Sequence, residues 1–122
     1  MITHISFCTI PVTDQDRALA FWRDQMGLTV DTDAEWQPGQ RWIMLRAGDS
    51  RTKLHLDLVD EMPEQSKPVL PLIDPDVTAT IDNLRGQGVT IIRDPGPAEW
   101  DETTTYAMFR DSEGNLILLS SK

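Results

Sequence analysis

Two histidines, His4 and His55, are the side chains of this sequence best suited to acid–base or metal chemistry. A catalytic metal ordinarily takes at least three protein ligands, so two imidazoles alone fall short of a centre. His55 and Asp57 alternate within Lys53–Val59, a spacing that puts both on one face of a strand. Cys8 has no basic neighbour to activate it and reads as an inert, buried thiol. A glycine-rich phosphate loop, a Gly-x-Ser-x-Gly elbow and a Cys-x-x-Cys pair are all missing, so serine or cysteine hydrolysis lacks its usual equipment. Aromatic and thioether residues are better represented. Trp42-x-Met44 and Tyr106-x-Met108 each place a ring and a polarisable sulfur on one strand face, suited to stacking and adaptable apolar contact.

Each of these residues also has a plain reading. His4 is equally well explained as a hydrogen-bonded strand residue, and His55 with Asp57 as a solvated strand face. Trp42, Met44, Tyr106 and Met108 serve packing more often than a dedicated cofactor site. Trp22, on helical spacing with apolar neighbours, reads as core. Trp36 and Trp100 fall in polar stretches where a large exposed ring is harder to dismiss, and they are candidates for the lip of a binding site.

The elements that must position these residues follow from composition and pattern. The chain has 122 residues with 11 Lys and Arg against 20 Asp and Glu, a net charge of −9. That acidity argues against nucleic-acid or anionic-membrane partners. No apolar run reaches the length of a membrane span, residues 1–20 carry no basic start before an apolar core, and a cytoplasmic protein is the expectation. One cysteine excludes an intrachain disulfide.

The chain also repeats itself. Ala34-Glu35-Trp36 precedes Trp42-Ile43-Met44-Leu45-Arg46 as Ala98-Glu99-Trp100 precedes Tyr106-Ala107-Met108-Phe109-Arg110. Upstream, Ala18 to Gly27-Leu28-Thr29-Val30 matches Ala79 to Gly88-Val89-Thr90-Ile91. The offsets are 64 and 61 residues, so a short insertion separates two copies of one module. In the first, Thr3–Ile10 reads as a strand, Thr13 or Asp14 caps a helix ended by Gly27, and Leu28–Thr32, Arg41–Arg46 and Lys53–Val59 read as strands. In the second, the strands are Val69–Ile73, Val89–Arg93, Thr104–Arg110 and Leu116–Ser120, with a helix over Asp76–Gln87. The order is βαβββ–βαβββ, with modules over 1–61 and 66–122 and a polar connector near 60–68.

With these motifs the chain resembles the vicinal oxygen chelate superfamily of glyoxalase, bleomycin-resistance and dioxygenase-like proteins. The resemblance rests on Ile2-Thr3-His4-Ile5, on Thr13-Asp14-Gln15-Asp16-Arg17-Ala18-Leu19-Ala20-Phe21-Trp22 leading into Gly27-Leu28, and on Asp76-Val77 to Leu84 with Gly88-Val89. Phe109 through Asn115 is similar to the family's Asp-Pro-Asp-Gly-Asn turn. It covers nearly the whole chain and implies a single α+β glyoxalase-like domain over 1–122. Mixed sheets would curl into a partial barrel around a cavity, with helices outside and pairing completed in a homodimer.

The resemblance also implies which residues face that cavity. His4, Ser6 and Cys8 would do so from the first strand, and Trp42, Met44 and Arg46 from the third. His55 and Asp57 would do so from the fourth, Tyr106, Met108 and Arg110 from the seventh, and Leu116, Leu118 and Ser120 from the last. Metal-dependent relatives hold a divalent ion with His, Gln or Glu on the first and last strands. Here His4 matches the first position and His55 lies near another. The equivalent around Ser66–Val69 offers no good ligand, and Leu118 stands where the family's glutamate would be.

Three functional readings follow. The first is a metal-independent protein that needs no cofactor. Its cavity residues His4, Ser6, Trp42, Met44, His55, Asp57, Trp100, Tyr106, Met108 and Leu118 would hold a small aromatic or amphipathic molecule. The second is a lyase, isomerase or extradiol dioxygenase using a divalent ion on His4, His55 and a further ligand. The third is a partner-binding subunit without a small ligand. Metal content separates the first two, and a cavity filled by its own side chains would favour the third.

Overall fold

The computed structural model describes all 122 residues and divides into two compact units, Met1–Pro63 and Glu64–Lys122. The first comprises β1 (Phe7–Val12), α1 (Gln15–Ala20), β2 (Thr29–Gln37), β3 (Gln40–Arg46) and β4 (Lys53–Leu58). The second comprises β5 (Leu70–Ile73), α2 (Val77–Gly86), β6 (Ile91–Pro97), β7 (Thr105–Arg110) and β8 (Leu116–Ser120). Each unit is thus a βαβββ module with a four-stranded mixed sheet, ordered β1-β4-β3-β2 in the first and β5-β8-β7-β6 in the second. The first strand of each unit pairs parallel with the fourth, and the other pairs are antiparallel. The two ladders are separate four-stranded sheets that are not closed into a barrel, as expected of α+β modules with too few strands to close a sheet on itself.

Capping and packing account for the helices. Asp14 caps α1 by accepting the Arg17 N–H at 3.0 Å, and Asp76 caps α2 by accepting the Ala79 N–H at 3.1 Å. After α1 the chain widens into a π-turn over Phe21–Gln25 and closes where Leu28 N–H reaches the Trp22 carbonyl at 2.9 Å. Gly27 makes that closure with φ of 78°, a conformation that a side chain would strain. The turn brings both Phe21 and Trp22 inward, their rings 5.3 Å apart and edge to face. They join Ala18, Leu19, Ile10, Val12, Ile43, Leu45, Leu54 and Leu56 in the buried core of the first unit. In the second unit Val77, Ile81 and Leu84, at helical spacing, are buried with Phe109, Ile117 and Leu119.

Several boundaries differ from the sequence expectation. The first strand begins at Phe7 rather than Thr3, because β4 starts at Lys53 and offers residues 1–6 no ladder. Upstream of Lys53 the chain turns through Gly48 and Ser50. His4 and Ser6 therefore precede the strand, and both are exposed. Cys8 is also exposed rather than buried. Trp36 belongs to β2, which runs on to Gln37 before the Gly39 turn, and not to a loop.

A buried amide locks α1 to its sheet. The Gln15 side chain, 6% exposed, donates to the carbonyls of Arg41 at 2.7 Å and Leu56 at 3.2 Å, and accepts the Arg41 N–H at 3.0 Å. Gln15→Leu keeps the volume and strands three backbone groups. It is expected to cost roughly 2–3 kcal/mol in urea denaturation with unchanged slope; a loss well under 1 kcal/mol would mean that water replaces the amide.

Candidate functional site

Strand pairing decides which side chains of the first unit meet on the sheet face away from α1. Thr9 pairs with His55 and His55 with Met44, so these three lie side by side on neighbouring strands. Phe7 and Trp42 join them. Trp42 lies 4.0 Å from the His55 ring at a tilt of 31°, and Phe7 meets both edge-on, 5.5 Å from His55 and 5.8 Å from Trp42. His55 is consequently only 6% exposed, whereas Trp42 and Phe7 are 36% and 37% exposed. The result is a half-open aromatic patch laid over a buried imidazole.

The imidazole is oriented from below. Its Nδ1 lies 3.2 Å from the Thr9 hydroxyl, which serves as donor or acceptor according to the tautomer. Nε2 makes no protein hydrogen bond. Removal from water pushes the His55 pKa below its ordinary value, with Asp57 opposing the shift. His55 is therefore a neutral imidazole at pH 7. Asp57 is half-buried on the same strand. At the border of the patch, a bulge in β2 carries Asp31, which pairs with Arg46 at 2.8 Å and Lys53 at 2.9 Å. The Lys53 ammonium and the Arg46 guanidinium hold the Asp31 carboxyl below the usual carboxylate range.

The second unit carries a different cluster in the equivalent place. Tyr106 pairs with Ser120 and Met108 with Leu118, so Leu118 occupies the register position that His55 holds beside Met44. Met108 and Leu118 are both half-buried. Tyr106, 8% exposed, is covered by Trp100 at 4.9 Å and by the Arg93 guanidinium at 4.5 Å from its ring centre. Trp100 itself is 60% exposed. It is carried by a loop that Asp101 ties down, accepting from the Thr103 N–H and hydroxyl at 3.0 and 2.7 Å and from the Thr104 hydroxyl at 3.0 Å. These hydrogen bonds, Thr103 foremost, hold the Asp101 carboxyl far below the usual carboxylate range.

Of the residues singled out from the sequence, the structure thus brings together Trp42, Met44 and His55 in one unit and Trp100, Tyr106, Met108 and Leu118 in the other. His4 and Ser6 do not join the His55 patch through β1. His4 Nδ1 instead lies 2.9 Å from both the Thr3 hydroxyl and the Arg51 guanidinium, and the Ser6 carbonyl accepts the Lys53 N–H. The odd residues Phe7 and Thr9, not the even ones, share the face of His55. Sequence reasoning missed Phe7, Thr9 and Arg93; alternation counted back from His55 across β1 was the signal for the first two. The structure forms no group of three His, Cys, Asp or Glu side chains that could hold an ion, and His4 faces the Arg51 cation.

The two βαβββ modules have clear counterparts in sequence and fold. The chain belongs to the glyoxalase/bleomycin resistance protein/dioxygenase superfamily, whose family model matches residues 2–119. It is 26% identical over 121 residues to the protein YetH of Bacillus subtilis (strain 168), covering 98% of each chain. Among solved structures it is similar to TnmS3, an antibiotic binding protein from Streptomyces sp. CB03234, at 31% identity and a TM-score of 0.80, over 97% of this chain and 94% of that one. UcmS2 is similar at 29% identity and a TM-score of 0.81, with 100% of both chains covered.

The neutral state of His55 has a measurable consequence. Between its depressed native pKa and the ordinary value near 6.5, the unfolded chain binds the proton that the native chain refuses. Stability should therefore fall as the pH drops below about 6.5. In His55→Phe, which keeps an apolar ring under Trp42, this slope is expected to shrink when thermal denaturation is followed from pH 7.5 to 5.5. An unchanged slope would assign it to other groups.

Proposed function

We propose that this protein binds planar aromatic small molecules without a metal, holding them by stacking on its exposed rings rather than by transforming them. The observation that carries this reading is the half-open patch in which Trp42, 36% exposed, leans over a buried, neutral His55 with Phe7 at its edge. A ring laid on such a surface removes apolar area from water on both sides and meets a π-face already fixed in place. His55 Nε2 supplies one polar contact beside it, as donor or acceptor. Membership of the family and similarity to an antibiotic binding protein support the same reading. Sequestration also fits the chemistry on hand: His55 has the Thr9 hydroxyl, not an orienting carboxylate, on Nδ1.

Trp42→Ala is expected to weaken binding of a polycyclic aromatic compound about tenfold in calorimetric titration, with the fold retained. Exhaustive dialysis against a chelator is expected to leave the affinity of the unaltered protein unchanged. Stoichiometric metal in protein purified without chelators, lost in His4→Ala, would overturn the metal-free reading.

We further propose that the protein works as a homodimer. Each four-stranded sheet has its helix on one side only, and Ile5, Val69 and Ile73 stay exposed at or beside the outer strands β1 and β5. Sedimentation equilibrium at micromolar concentration should give twice the 13.8 kDa of one chain; a mass of one chain would refute the dimer.

A further inference from the structure

In a chain with 20 acidic and 11 basic residues, a basic side chain usually meets a carboxylate. Arg23, Arg41, Arg46, Lys53, Arg85 and Lys122 all do. Arg93 does not. Its guanidinium lies over the Tyr106 ring instead, and the carboxylate next to it in sequence, Asp94, is taken by Arg85. Asp101, the carboxylate on the Trp100 loop, is likewise engaged by Thr103, Thr104 and Lys122. Arg93 is exposed on β6, so this is a solvent-facing charge without a counter-ion rather than a buried defect.

Stacking prepares such a guanidinium for one kind of partner. A cation held against a ring keeps its N–H donors at the edge of the plane, and that planar fork matches a carboxylate through two parallel hydrogen bonds. Trp100 touches the same Tyr106 ring and presents a largely exposed indole. An exposed stacking surface and an unneutralised fork thus border one tyrosine. The register equivalent of Arg93 in the first unit is Thr32, since Thr32 pairs with Met44 as Arg93 pairs with Met108. The cation belongs to one unit alone. The net charge of −9 keeps general anion binding weak, so recognition here would be local.

We propose that the Arg93–Tyr106–Trp100 cluster is a recognition site for the carboxylate of an aromatic acid, with Arg93 gripping the carboxylate and Trp100 covering the ring. This rests on the aromatic-binding reading above and names the ligand class at the second unit. The test is calorimetric titration with 2-naphthoate and its uncharged isostere 2-naphthamide at pH 7, using the full-length chain. Naphthoate is expected to bind about tenfold tighter than naphthamide. Arg93→Gln, a change at an exposed position, should abolish that preference, with naphthoate losing about tenfold more affinity than naphthamide. Arg93→Lys, which keeps the charge and loses the fork, should restore only part of it. Equal affinity of the unaltered protein for both compounds, or a preference surviving in Arg93→Gln, would overturn the carboxylate site while leaving aromatic binding intact. Failure of both compounds to bind would overturn both.

Discussion

The parallel pairing of β1 with β4 is the constraint from which the first unit's surface chemistry follows. It sets Thr9 against His55 and Phe7 against Lys53, so the odd residues of β1 share the face of the imidazole. Because side chains alternate across a strand, the even residues Ile10 and Val12 go to the other face and into the core. One residue of slip would exchange the two sets, sending Ile10 and Val12 toward solvent. Their burial, with Leu54 and Leu56 beside them on β4, is what makes the register costly to lose. The Gln15 amide adds a geometric check, since its three hydrogen bonds close only when β3 and β4 stand in their present places.

The two units show how one frame can carry different chemistry. Both use the same strand order, the same helix entry through an aspartate, and an aromatic-x-methionine pair on the third strand of the unit. They diverge at two register positions. Beside the methionine, one unit has His55 and the other Leu118, and on the neighbouring strand one has Thr32 and the other Arg93. The first surface is consequently neutral and hydrogen-bonding, and the second is cationic and apolar. Two like platforms thus differ at positions on the face away from their helices, while the core positions of both are apolar.

Much of this was legible in the residues. The βαβββ repeat, both helix caps and the glycine stop after the first helix follow from local chemistry that acts within a few residues. The face of β4 was legible too, because Leu54 and Leu56 alternate with His55. The first strand was not. Thr3–Ile10 carries the β-branched composition of a strand, but a strand needs a partner, and where β4 begins is decided by a turn some fifty residues away. That error moved His4 and Ser6 onto a surface they do not share, and it buried Cys8. Arg93 escaped notice for a related reason: its proximity to Tyr106 arises from pairing across β6 and β7 with a bulged register, which no local pattern announces.

The outer strands of the two sheets differ in how they discourage further pairing. β6 contains Pro95 and Pro97 and shifts register twice, so its free edge lacks donors and regularity. β2 also shifts register, but its other defence is electrical, a charged stretch in which Asp31 is held by Arg46 and Lys53 and Asp33 by Arg41, with Glu35 beside them. The cost of covering such a charged edge depends on solvent, since protons neutralise its carboxylates and salt screens its pairs. The pyrrolidine rings of β6 answer to neither. One edge of this protein is guarded by a condition of the medium, and the other by its covalent structure.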